Sequence, residues 1–199
     1  SSDAAVEITP VRSAPARNRR QEETFRRVLA AARDMLQESS YADLTVRAVA
    51  KRANVAPATA YTYFSSKNHL VAEVYLDLVT QVPFFTDVND TLQTRVGSVL
   101  RHLTLVVADE PEVAAACTTA LMSGNDEAVL TVRNRIGAEI HRRIASAIGP
   151  DADARTVGAL EMTFFGALVQ AGSGAFTYRQ IADQLTFVVG LILGEPRNT

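Results

Sequence analysis

Three histidines, one cysteine and a crowd of arginines are the side chains here with chemistry to offer. His69, His102 and His141 lack any close metal-ligand spacing, and Cys117 has no CxxC partner, so neither a metal centre nor a thiol pair is expected. No GxSxG elbow, P-loop or dinucleotide fingerprint occurs, and Ser123-Gly124 reads as an ordinary helix break. The chain is not expected to be an enzyme, and no cofactor is expected. The chemistry on offer is that of binding a polyanion. Arg12, Arg17, Arg19 and Arg20 crowd near the start, Arg47, Lys51 and Arg52 follow, and Lys67 ends the series. Among them stand the hydroxyls of Thr45, Thr59 and Thr62 and the phenols of Tyr61 and Tyr63. Cations of this kind neutralise phosphates, while short hydroxyl side chains suit phosphate oxygens or base edges.

The overall charge hides this concentration. The 199 residues carry a net charge of -2, yet residues 12–67 hold eleven basic and five acidic side chains, and residues 68–199 hold nine and fifteen. Such asymmetry suggests a first third that faces a polyanion and a remainder that does something else, with a merely solvated basic face as the alternative until the fold that carries the charges is known. With 47% hydrophobic and 21% charged residues, a sizeable core is expected. No apolar run approaches the roughly 18 residues of a membrane span, so a soluble, cytoplasmic protein is expected.

Helical spacing supplies the elements that must position these groups. Residues 1–18, with Pro10 and Pro15, have no periodicity and read as a flexible basic arm. From Arg20 to Glu38, Phe25, Val28, Leu29, Ala32 and Leu36 define one face of a long helix. Thr45 suits the N-cap of a short helix bearing Val46, Val49 and Ala50. After the turn at Asn54 to Ala56, Pro57 starts a second short helix ending near Tyr63. Two short helices at a tight turn make a helix-turn-helix, with the second small enough to enter a major groove. Phe64 is expected to plug its core.

The run from Leu44 to Leu70 resembles the DNA-binding signature of the TetR family of bacterial transcriptional repressors. Its matching features are Thr45, Val49-Ala50, Ala53, Val55, Thr59, Tyr61, Tyr63-Phe64, Lys67 and Leu70. One departure is Ala56, where many relatives have a capping serine. The resemblance implies an all-α chain, with a three-helix DNA-binding head over residues 19–66 and a helical ligand-binding and dimerisation body over residues 67–199. The candidate DNA contacts are Arg17, Arg19, Arg20, Thr45, Arg47, Thr59, Thr62, Tyr63 and Lys67. The resemblance favours Tyr63 over Tyr61 as the phosphate contact, and Arg47 among the cations of the bracing helix and turn.

In the acidic remainder, helices are expected over Lys67–Val82, Leu92–Ala108, Glu112–Met122, 125–148, Asp151–Ala171 and Tyr178–Leu193. The first of these should carry a stripe of Leu70, Val74 and Leu78. Thr177 with Gln180 forms a capping-box pattern. The last two helices are apolar around more of their circumference than one covered side requires, which suits a four-helix bundle formed with a second copy. The resemblance likewise implies a homodimer, which would read an inverted-repeat operator in double-stranded DNA. A ligand pocket is expected among the central helices, with Leu100, Leu103, Met122, Met162, Phe165 and Val169 as candidate lining residues, and Leu105 and Ile140 considered beside them. Three segments, Ile8–Arg17, Val55–Leu70 and Ala108–Leu121, further resemble actinobacterial repressors of cholesterol catabolism. That implies release from DNA by a coenzyme A thioester of a cholesterol-derived acid, with Arg101, Arg133 and Arg142 available to its phosphates. Two other readings remain open: a nonallosteric DNA-organising protein with a filled core, and a carrier of small hydrophobic ligands that binds no DNA.

Overall fold

The structure is a computed structural model and describes residues 16–84, 87 and 89–194. Most of the basic arm, including Arg12, lies outside the described residues. All regular structure among the described residues is helical. The order is α1 (Arg19–Glu38), α2 (Val46–Arg52), α3 (Pro57–Tyr63), α4 (Lys67–Gln81), α5 (Leu92–Leu105), α6 (Pro111–Met122), α7 (Glu127–Ile148), α8 (Ala154–Gly172) and α9 (Tyr178–Leu193). A 3-10 turn at Tyr41–Asp43 links α1 to α2.

Helix α1 starts at a capping box: Gln21 N donates to Asn18 Oδ1 (2.9 Å), while Asn18 N donates to Gln21 Oε1 (2.9 Å). Its apolar stripe packs on α2, α3 and α4 and also reaches α6. Thr45 caps α2 by accepting from Ala48 N (3.0 Å). The turn into α3 is a Schellman motif, with Val55 N donating to Ala50 O and Asn54 N to Lys51 O. Asn54 holds the left-handed conformation this requires, at φ 54°. Pro57 opens α3, whose N-cap Ala56 makes no side-chain cap bond. The short recognition element is held mainly from beneath. Ala60 and Phe64 are wholly buried, and Phe64 stacks on Phe25 with ring centroids 5.0 Å apart.

Helix α4 leaves this head and is surrounded by α1, α6 and α7. The predicted stripe of Leu70, Val74 and Leu78 is buried, but so are Val71, Ala72, Glu73, Tyr75, Leu76 and Val79. It is an enclosed axle rather than a rod with one covered side, because three helices pack around it. The α5 helix ends at Leu105, earlier than its apolar pattern suggests, as residues 106–109 form turns. Helices α5, α7, α8 and α9 complete the body. On α8 and α9, Met162, Val169, Phe187 and Leu191 remain exposed, at 51–73% of their full surface.

Candidate functional site

Two regions could carry function: the face of the head around α3, and a cavity in the body. On the head, Thr59, Thr62, Thr45 and Arg47 are exposed. The Thr62 hydroxyl donates back to Ala58 O (3.0 Å), leaving its lone pairs and methyl group to the outside. Thr45 is exposed but has an oxygen engaged in the α2 cap. The two tyrosines divide as their two-residue spacing requires. Tyr63 is half-buried, edge-on to Phe25 at 6.3 Å between centroids, while Tyr61 is 49% exposed. Tyr61, absent from the predicted contact set, is thus the more exposed of the two. Tyr63 nevertheless borders the groove between α1 and α3, a concavity of about 400 Å³.

The cations sort by their partners. Arg17 lies over the Phe25 ring, 3.6 Å from its centroid, and pairs with Glu22 at 3.3 Å. It faces the cleft shared by α1, α4 and α7, not the α1–α3 groove, so its placement departs from the predicted DNA-contact face. Arg19 pairs with Glu23 (3.2 Å) and Arg52 with Glu38 (2.6 Å). Arg20 and Arg27 have no acidic partner among the described residues, and both line the α1–α3 groove with Thr59 and Tyr63. Arg27 was missed by sequence reasoning. The signal was present: it stands seven residues after Arg20, hence on the same side of the helix.

Lys67 opens α4, where Nζ donates to the Tyr41 carbonyl (3.1 Å) and lies over the Tyr41 ring (4.3 Å). The protein thereby fixes this ammonium in place while one partner satisfies only part of its donor capacity. The joint beneath it is tightly bonded. Ser66 caps α4 and donates its hydroxyl to Asp126 Oδ2 (2.5 Å), the N-cap of α7. Asn68 Nδ2 donates to Ser123 Oγ (3.0 Å), just beyond α6. The Ser66 hydroxyl holds the Asp126 carboxyl below its ordinary range; burial opposes this, and the α7 amides assist. One turn further along α4, Glu73 is buried against Arg135 (2.8 Å) and His69 (3.7 Å). Burial pushes its carboxyl up, but the His69 and Arg135 contacts together outweigh burial and hold it below the usual range.

The body cavity measures about 540 Å³ and lies among α4, α6, α7 and α8, bordered by the start of α9. Of the predicted lining residues, Met122, Phe165 and Val169 border it. Leu100 and Leu103 do not: both are wholly buried in packed core, because α5 turns that side toward α7 and α9. Met162 also departs from the prediction, bordering a separate groove between α8 and α9 with 73% of its surface exposed. Leu105 and Ile140 are likewise absent from the cavity wall. Sequence reasoning missed Tyr75, Cys117, Thr118 and Tyr178, which border the cavity. Burial and, secondarily, Glu110 push the Cys117 thiol up to about 12, which leaves it protonated and unreactive at neutral pH. Burial, then Cys117 and Tyr178, push the Tyr75 phenol up. Arg101 and Arg142 are engaged by Asp183 (2.6 Å) and Glu139 (2.9 Å), whereas Arg133 borders the cavity.

A three-helix head presenting a short helix and unpaired arginines, joined by an axle helix to a helical body, defines a helix-turn-helix DNA-binding regulator. The model for bacterial regulatory proteins of the tetR family matches residues 28–74. HTH-type transcriptional regulators of Mycobacterium tuberculosis and Mycobacterium bovis are 72% identical over 185 residues, covering 92% of this chain and 87% of theirs. A TetR transcriptional regulator from Rhodococcus sp. RHA1 shares the fold at a TM-score of 0.77, with 23% identity over 90% of this chain and 99% of its own. A TetR variant from Acinetobacter baumannii, solved with minocycline, matches at a TM-score of 0.53 with 14% identity, covering 83% of this chain and 92% of its own.

The chain belongs to the TetR family of bacterial transcriptional regulators. It is a DNA-binding regulator, not an enzyme. Members of the family bind DNA and small-molecule effectors and form dimers. Among the described residues, no helix is long and apolar enough to cross a membrane.

Proposed function

We propose that the chain is an effector-released repressor that binds an inverted-repeat operator as a homodimer. The observation that carries this reading is the α1–α3 groove, where unpaired Arg20 and Arg27 flank the exposed Thr59 beside Tyr63. Arg20, Arg27 and Lys67 hold phosphates, while Thr59, Thr62 and Tyr61 face base edges and Arg47, Thr45 and Tyr63 border the backbone. Arg19 contributes charge while shared with Glu23, and Arg17 reaches DNA only after leaving Phe25. Residues 1–18 act as the basic arm, 19–66 as the DNA-binding domain and 67–199 as the ligand-binding and dimerisation domain.

The exposed apolar side chains of α8 and α9 support the homodimer, since a second copy covers them as a four-helix bundle. The cavity takes a hydrophobic effector. Its border includes Leu121 and Met122, next to the Ser123 that bonds Asn68 at the head joint, so a guest displacing the end of α6 acts directly on the start of α4. The resemblance to cholesterol-catabolism repressors supports genes of sterol or lipid breakdown as targets. It also supports a cholesterol-derived acid, as its coenzyme A thioester, as the effector. The site of action is the cytoplasm.

The test is binding of the purified dimer to duplex from its own promoter region, at fixed salt, with and without sterol coenzyme A thioesters. Operator binding that the thioester abolishes is expected. Affinity indifferent to every added ligand favours a DNA-organising protein. Failure to bind any duplex leaves a hydrophobe carrier.

A further inference from the structure

The arginines of the body are nearly all engaged. Arg101, Arg135, Arg142, Arg143 and Arg179 pair with carboxylates, and Arg95 donates to the carbonyls of Asp90, Ala147 and Ile148. Among the described residues of the body, Arg133 alone has neither a hydrogen bond nor a charged partner for its guanidinium, since Arg155, though it donates no side-chain hydrogen bond, faces the Asp153 carboxylate. Arg155 stands exposed on α8, whereas Arg133 is half-buried at the wall of the apolar cavity.

A half-buried guanidinium is held at a cost unless something satisfies it, and its planar fork matches a carboxylate with two parallel hydrogen bonds. One turn further along α7, Gly137 also borders the cavity, and a Cβ built there meets nothing within 4 Å. The space beside Arg133 is thus open, and its other borders are largely apolar: Ile136, Phe165, Leu168 and Val169. An apolar chamber with one unpaired cation selects an apolar molecule carrying one negative charge.

Resting on the reading of this cavity as the effector site, we propose that the effector is a hydrophobic carboxylic acid, bound as its carboxylate with Arg133 as counter-ion. The free acid and the thioester are thus rival occupants of this one cavity, and the probes below tell them apart. A thioester carbonyl carries no charge for Arg133 to neutralise, and the several phosphates of coenzyme A would share this one unpaired arginine at the cavity border. At neutral pH a simple carboxylic acid is ionised, so the pairing needs no proton transfer.

The probes are hexadecanoic acid, its methyl ester and its coenzyme A thioester, with binding to the intact protein measured by equilibrium dialysis of labelled ligand and operator release measured in parallel. The acid is expected to bind about 10- to 100-fold more tightly than the ester, the range for a hydrogen bond to a charged group. Arg133→Gln is expected to remove that preference while leaving ester affinity unchanged, and the acid, not the ester, should release operator at low concentration. Gly137→Leu, which fills the open space, should weaken acid and ester alike. Equal binding of acid and ester by the unaltered protein, or an acid preference that survives Arg133→Gln, overturns the carboxylate assignment while leaving the cavity as effector site. Tighter binding of the thioester than of the acid overturns it in favour of the thioester. Binding of neither acid nor ester, or binding of both that Gly137→Leu leaves untouched, overturns the cavity reading itself and this assignment with it.

Discussion

Arg19, Arg20 and Arg27 carry the same charge on the same helix, so replacing each by glutamine changes net charge identically; only their surroundings differ. Arg19 is shared with Glu23, whereas Arg20 and Arg27 are unpaired beside α3. If Arg27 neutralises one phosphate per protomer, Arg27→Gln removes two contacts from a dimer. At about 0.9 per phosphate, the plot of log affinity against log salt then becomes shallower by about 1.8. Over a fourfold rise in salt, from about 50 to about 200 mM, that is about 12-fold less loss of affinity than in the unaltered protein. Fluorescence anisotropy on labelled operator over that range gives the slope directly. Arg20→Gln should behave like Arg27→Gln, and Arg19→Gln should move the slope by clearly less. Equal slopes for all three variants would refute the assignment, because the effect would then follow net charge and not the groove.

Other perturbations test the scaffold and the joint. Phe64→Ala removes the wholly buried ring stacked on Phe25 and should destabilise the protein by about 3–5 kcal/mol in chemical unfolding at fixed protein concentration; near-normal unfolding would deny it the core role. Asn54→Gly should preserve or raise stability, whereas Asn54→Ala should lower it by roughly 1 kcal/mol, since the turn requires φ above zero. Glu73 titrates lower in the folded protein than in the unfolded chain, so its stabilisation is complete above the unfolded value of about 4.3 and is lost as pH falls through the folded value. Glu73→Gln should accordingly flatten the fall in unfolding free energy below about pH 5, and an unchanged acid limb would contradict the pairing with Arg135 and His69.

The helix starts were legible because their signals are local. Pro57 at the first position of α3, Thr45 as the cap of α2 and the capping box of Thr177 and Gln180 each depend on residues within one turn. The starts of α2, α3 and α9 follow from those signals. The cavity was poorly legible for the opposite reason. Leu103 and Met122 are both apolar helix residues, and only the packing of α5 against α7 and α9 decides that one is solid core while the other borders open space. Arg17 and Arg27 illustrate the same limit for charge. Both stand at or near the first half of α1 in sequence, but a ring at Phe25 and a carboxylate at Glu22 occupy one and leave the other unpaired. Enclosure of α4 also hid from the pattern, since burial on several sides erases the periodicity that marks a surface helix.

That enclosure divides the chain into positions that can vary and positions that cannot. Seven consecutive residues, Leu70 to Leu76, are buried in α4, so almost any change of size there disturbs α1, α6 or α7 at once. Around the cavity, Met122 and Asn134 are exposed and can change with little penalty to folding. Descendants of this sequence can therefore acquire new chemical tastes by drift along α6, α7 and α8 while inheriting the axle unaltered. The part that senses is evolvable because the part that transmits is not.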